Sequence, residues 1–132
     1  MESSKKHIVI IDDDPIYQRI IKFLAQRMVP DYEQHALLNA AGASQILKKL
    51  LKRGEQVYVL LDLNMPEYDG WRFLDLTEKA SWAACSQLKL FVVSSTTDTR
   101  EIERAKEYAL VKDVITKPFT KENLNYILGY AS

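Results

Sequence analysis

Val57-Tyr58-Val59-Leu60-Leu61-Asp62-Leu63-Asn64-Met65-Pro66 is an apolar run that stops at a carboxylate and passes at once into turn chemistry. Its apolar side chains do not alternate with polar ones, so a strand made of them must be buried on both faces, as in a parallel sheet covered by helices. The pattern recurs on either side. His7 to Ile11 stops at Asp12-Asp13-Asp14, Leu88 to Val93 at Ser94-Ser95-Thr96-Thr97, and Val111 to Thr116 at Lys117-Pro118-Phe119; a weaker run spans Tyr32 to Leu38.

Between these runs apolar residues take helical spacing: Ile16, Ile20, Phe23 and Leu24; Ala43, Ile46, Leu47, Leu50 and Leu51; Phe73 and Leu74; Ile102, Ala105 and Ala109; Leu124, Ile127 and Leu128. Five strands alternating with five amphipathic helices predict an α/β domain, with a parallel sheet and helices on both faces, because parallel strands need right-handed crossovers. Asp14 before Pro15 predicts a helix cap, Asp98 with Glu101 a capping box, and Thr120 a cap on the last helix. Asp69-Gly70 is a turn signal, and Gly54 after Lys52 and Arg53 fits a helix C-terminus.

The 132 residues suit one domain, expected over residues 7–132 behind a flexible start at 1–6. Eighteen basic and eighteen acidic side chains cancel without forming blocks, which gives no electrostatic reason to expect nucleic acid or an anionic membrane as partner. The lone Cys85 and the absence of a signal-type apolar run point to the cytoplasm. No stretch approaches the roughly 20 apolar residues of a membrane span.

In open α/β sheets, ligands bind outside the carboxyl ends of the strands. If the ends of the first, third, fourth and fifth runs are neighbours, carboxylates, a hydroxyl and an ammonium converge there. Clustered carboxylates repel unless a cation joins them. Magnesium suits them, since it takes hard oxygen ligands and keeps waters that a phosphate oxygen can replace. His7, His35 and Cys85 stand apart in the sequence, so no zinc or iron constellation is expected. A carboxylate beside the metal can attack phosphorus and become an aspartyl phosphate.

Ile8-Val9-Ile10-Ile11-Asp12-Asp13-Asp14-Pro15, Leu60-Leu61-Asp62-Leu63-Asn64-Met65-Pro66 with Asp69-Gly70, Val92-Val93-Ser94-Ser95 and Thr116-Lys117-Pro118-Phe119 fall in the order and spacing of one family. The chain resembles a receiver domain of bacterial two-component response regulators, over nearly its whole length. The resemblance implies a flavodoxin-like (βα)5 doubly wound sheet of strand order 2-1-3-4-5. It implies Asp62 as phosphoacceptor and Mg2+ as cofactor, held by Asp13, by Asp12 through water, by Asp62 and by the backbone carbonyl of Asn64. Lys117 would bridge to the Asp62 carboxylate and then to the phosphoryl group, Ser94 would be the switch hydroxyl, and the bond before Pro118 would be cis. The implied donor is a sensor histidine kinase or histidine phosphotransfer protein, which small phosphodonors often replace. The implied output is altered binding of a protein target. Such a domain is not an enzyme beyond its own phosphorylation and slow dephosphorylation.

Each residue also has a plainer reading. Asp12 and Asp13 could be solvated capping acids, Asp62 a turn residue, Lys117 a surface lysine, and Ser94 one of several hydroxyls bonding a loop. Their joint occurrence at four strand ends favours the site. A haloacid dehalogenase-type phosphohydrolase would need a second carboxylate where Asn64 stands, and a flavin domain would need a phosphate loop where three aspartates stand. A degenerate receiver would lack some of these groups. The family often has an aromatic residue where this chain has Val114, so the aromatic part of its switch is missing. Trp71 is expected to be structural and close enough to report on the site; Ala80 to Gln87, with Trp82 and Cys85, has no assigned role. A stand-alone receiver ending with the last helix is expected.

Overall fold

A computed structural model of the chain describes residues 5–63, 65 and 70–130. The strands are β1 (Lys6–Ile11), β2 (Glu33–Leu37), β3 (Gln56–Leu61), β4 (Leu88–Ser94) and β5 (Val111–Thr116). The helices are α1 (Pro15–Met28), α2 (Ala43–Lys52), α3 (Gly70–Glu78), α4 (Thr99–Lys106) and α5 (Lys121–Leu128), with a 3-10 turn at Ser81–Ala83. All strand pairs are parallel, in the order β2-β1-β3-β4-β5. The fold is the flavodoxin-like one expected. The expected flexible start falls largely on residues 1–4, outside those described; β1 begins at Lys6. Among the described residues no helix is long and apolar enough to cross a membrane.

Strand alternation divides the core into two layers. Val9, Ile11, Val59 and Leu61 meet Leu47, Phe73, Leu74 and Ala105 of α2, α3 and α4. Ile8, Ile10, Tyr58 and Leu60 meet Ile21, Ala25, Leu124 and Ile127 of α1 and α5. Central β3 and β4 are buried almost throughout, which is why their sequences carry unbroken apolar runs.

Helix ends follow their capping chemistry. Asp14 Oδ1 accepts the Ile16 N–H at 2.9 Å, and Thr120 forms a reciprocal capping box with Asn123. Gly54 ends α2 with φ 76°, a conformation that favours glycine. Asp98 caps α4 through Arg100 N–H, but its side-chain partner is the Arg100 guanidinium at 3.2 Å instead of a Glu101 capping box. Ala109 lies beyond α4 and is exposed.

The expected apolar face of α1 is corrected by the structure. Of the four expected residues only Leu24 packs on the core, half-buried; Ile16, Ile20 and Phe23 are exposed, while Gln18, Ile21 and Ala25 are buried. Positions 18, 21 and 25 are also helix neighbours, and a small alanine there lets the helix sit close to the sheet. The Gln18 amide belongs on that face because it meets two carbonyls: Asp12 O at 2.9 Å and Leu37 O at 2.7 Å. An apolar ridge is thus left in water.

Candidate functional site

β1 and β3 are register partners up to Ile11 and Leu61, so the next residues, Asp12 and Asp62, emerge side by side. Asp62 N–H donates to Ile11 O at 2.9 Å, and Asp12 N–H donates to Leu37 O at 3.0 Å. Both aspartates are buried, whereas Asp13 is exposed at the rim. Carboxylate oxygens of all three lie within 4.8 Å of one another, a hard oxygen cluster of the kind a divalent cation takes. Asp14, which caps α1, does not belong to that cluster. Asn64 lies outside the described residues, as does Asp69 of the turn before α3.

Lys117 Nζ donates to Asp12 Oδ2 at 3.0 Å and sits 3.9 Å from Asp62 Oδ2. The ammonium therefore spans both buried aspartates, with its hydrogen bond on Asp12. Burial is the largest single influence on Lys117 and pulls its pKa down, but the Asp12 hydrogen bond and the Asp62 and Asp12 charges together outweigh it and hold the pKa above the ordinary lysine range. The Lys117–Pro118 peptide bond is cis. Ser94, almost fully buried at the end of β4, accepts the Lys117 N–H on its carbonyl at 2.8 Å and the Thr96 N–H on Oγ at 3.1 Å. Ser95 and Thr97 are exposed.

Two residues at the site gave no motif. Tyr17 lays its ring 4.2 Å from Lys117 Nζ, a cation–π contact, and its hydroxyl accepts the Phe119 N–H. Gln18 ties the ends of β1 and β2 together through the bonds given above. Their signal was present: both lie in the first turns after the Asp14 cap, where α1 begins beside the strand ends. Gly70, which the sequence marked through the Asp69-Gly70 turn signal, has a further role at the site. A Cβ there would lie 2.6 Å from Asp62 O and 2.7 Å from Leu63 Cα, so only glycine lets α3 start against the Asp62 backbone.

Val114 is half-buried in register with Val92. Trp71 packs under the Arg104 guanidinium, 3.9 Å from its ring, and beside Tyr108. Trp82 and Cys85 pack against the α2 side of the core.

The histidines contradict the expectation that they stand apart. Although 28 positions separate them, β1–β2 pairing brings His7 Nδ1 within 3.0 Å of His35 Nε2. Burial, and next the adjacent His7, hold His35 below the ordinary histidine range.

A doubly wound parallel sheet with an acidic, lysine-bridged cleft at its strand ends defines a class: an α/β domain built to gather negative charge around a cation. A family model for the response regulator receiver domain matches residues 8–128. A two-component response regulator from Cytophaga hutchinsonii superposes with TM-score 0.82 at 23% identity, covering 96% of each chain. A receiver domain from Rhodospirillum rubrum gives TM-score 0.71 at 29% identity, covering 92% of this chain and 87% of that one. The Mn2+-bound response regulator Rcp1 gives TM-score 0.71 at 19% identity, covering 94% and 90%. Comparison with curated proteins gives no match. The chain belongs to the response regulator receiver domain family, the receivers of two-component signalling. Receivers are signalling phosphoacceptors that bind Mg2+ or Mn2+ at an acidic pocket.

Proposed function

We propose that this chain accepts a phosphoryl group on Asp62 from a histidine kinase or phosphotransfer protein, in the cytoplasm, and changes its binding of a protein target in response. The observation that carries this reading is the convergence of Asp12, Asp13 and Asp62 within 4.8 Å, with the Lys117 ammonium 3.0 Å from Asp12 and 3.9 Å from Asp62. The all-oxygen donor set fits Mg2+, which Asp12, Asp13 and Asp62 would hold, joined by the Asn64 carbonyl if it follows the family. When bound, the ion would neutralise charge on the phosphoryl oxygens.

The chain's own groups do the rest. An Asp62 oxygen forms the new bond to phosphorus as the bond to the donor nitrogen breaks, and the donor imidazole leaves with that electron pair. Lys117, protonated throughout the neutral range, turns toward the added negative charge. The buried Ser94 hydroxyl keeps a proton to donate while it accepts from Thr96, so it can bind a phosphoryl oxygen. Moving it would disturb the segment that runs through Thr96 to the Asp98 cap of α4. That segment carries the output here, because Val114 offers no ring to rotate. The exposed ridge of Ile16, Ile20 and Phe23 starts beside the cleft and suits a protein donor better than a small metabolite.

Intact-mass measurement after incubation with acetyl phosphate and Mg2+ tests the reading. The wild type should gain one phosphoryl group, and neither Asp62→Ala nor EDTA-treated protein should. Equal gain by Asp62→Ala would overturn it, and continuous turnover of a phosphomonoester would replace it with a hydrolase.

A further inference from the structure

His7 and Glu33 are register partners across β1 and β2, and His35 follows Glu33 by two positions, so strand alternation puts all three side chains on one face. His7 Nδ1 lies 3.0 Å from His35 Nε2 and 3.4 Å from Glu33 Oε1, and His35 Nε2 lies 3.7 Å from the same oxygen. Ligands at the corners of a tetrahedron with zinc bonds of about 2.0–2.1 Å are roughly 3.3 Å apart. The observed triangle brackets that value.

The surroundings are those of a ligand set. His7 is buried, and its other nitrogen, Nε2, is 2.6 Å from Glu55 Oε1. A carboxylate only accepts, so Nε2 carries a hydrogen, and in the neutral ring Nδ1 then turns its lone pair toward His35 and Glu33. A proton on His35 Nε2 can answer that lone pair, but the Glu33 oxygen then still faces it; a divalent cation answers all three donors. Lys5 Nζ lies 3.7 Å from the other Glu33 oxygen, Oε2, and leaves Oε1 to the histidines. Carboxylates behind a histidine in this way orient it and raise its basicity as a metal ligand.

We propose that the start of the β1–β2 pair is a zinc site, with His7 Nδ1, His35 Nε2 and Glu33 Oε1 as ligands and Glu55 orienting His7. Mixed imidazole and carboxylate donors select Zn2+ over Mg2+, whereas the all-oxygen cleft favours Mg2+. The two sites are separate: His7 and Asp12 lie at opposite ends of β1, roughly 16 Å apart at the rise of an extended strand. Since β2 is an edge strand, the metal would fasten it to the sheet, with water or a partner's side chain as fourth ligand.

Zn2+ titrated by calorimetry into the full chain, with Mg2+ in excess to occupy the acidic cleft, tests this. The wild type should bind one Zn2+, and Co2+ in its place should give the strong visible absorption of tetrahedral coordination. His35→Ala and Glu33→Gln, both at partly exposed positions, should fold normally by circular dichroism and lose that absorption. Glu55→Ala should weaken Zn2+ binding by about 10–100-fold. An Asp12→Asn, Asp13→Asn double variant should bind Zn2+ as the wild type does. Absence of Zn2+ binding, or binding that survives His35→Ala but fails in the double variant, would overturn the proposal.

Discussion

Asp13→Asn separates what the acidic cluster costs the fold from what it gains with a cation. The carboxylate oxygens of Asp12, Asp13 and Asp62 lie within 4.8 Å of one another. At that distance two unit charges repel by about 0.9 kcal/mol in bulk water and about 3.5 kcal/mol at an effective dielectric near 20. Asp13 is exposed, which places its repulsions toward the lower figure, and the nearby Lys117 ammonium offsets part of them. The net relief is about 1 kcal/mol, so Asp13→Asn should unfold about 3–5 °C higher than wild type in EDTA. Magnesium should reverse the order: at a hundredfold excess over Kd it adds about 2.7 kcal/mol to the wild type. The variant, one carboxylate short, should gain less. Thermal melts in EDTA measure the first quantity, and urea melts across a Mg2+ series the second. If Asp13→Asn is less stable than wild type in EDTA, or gains the full magnesium increment, the cluster is not a cation site.

Gly70→Ala should destabilise by about 1–3 kcal/mol, because the backbone atoms its Cβ meets cannot move aside as a side-chain tip would; thermal melts measure this, and phosphorylation should slow as Asp62 shifts. Gln18→Ala should cost about 1–3 kcal/mol by removing the donor to two strand-end carbonyls, and amide exchange at Asp12 should quicken. Tyr126, whose hydroxyl donates to Asp113 at 2.6 Å, has its pKa pushed up to about 12, chiefly by that bond. The folded state thus holds this proton longer than the unfolded one, so stability falls as pH rises from about 10 toward about 12. In Asp113→Asn the tyrosinate absorbance of Tyr126 should appear nearer pH 10, its ordinary value being about 10.

The strands were legible because burial on two faces leaves unbroken runs such as Val57 to Leu61, and the cleft was legible because each run stops at its polar residue. What the sequence hid depended on which elements meet. In α1 the ridge of Ile16, Ile20 and Phe23 has the better apolar spacing, yet the buried row includes Gln18, whose partners lie on two strands far away in sequence. Tyr17 looked like an ordinary helix residue because its partner, Lys117, is a hundred positions on. His7 and His35 looked isolated for the same reason: their contact exists only through the β1–β2 register.

Phosphoryl acceptance is placed on one side chain, Asp62. Protein phosphorylated with acetyl phosphate and Mg2+ can be reduced with borohydride, which converts an aspartyl phosphate to homoserine, and then digested and mapped by mass spectrometry. Homoserine at position 62 alone, in wild type but not in Asp62→Asn, is the predicted result. Reduction at Asp12 or Asp13, or a phosphoryl group that resists borohydride, would contradict the account.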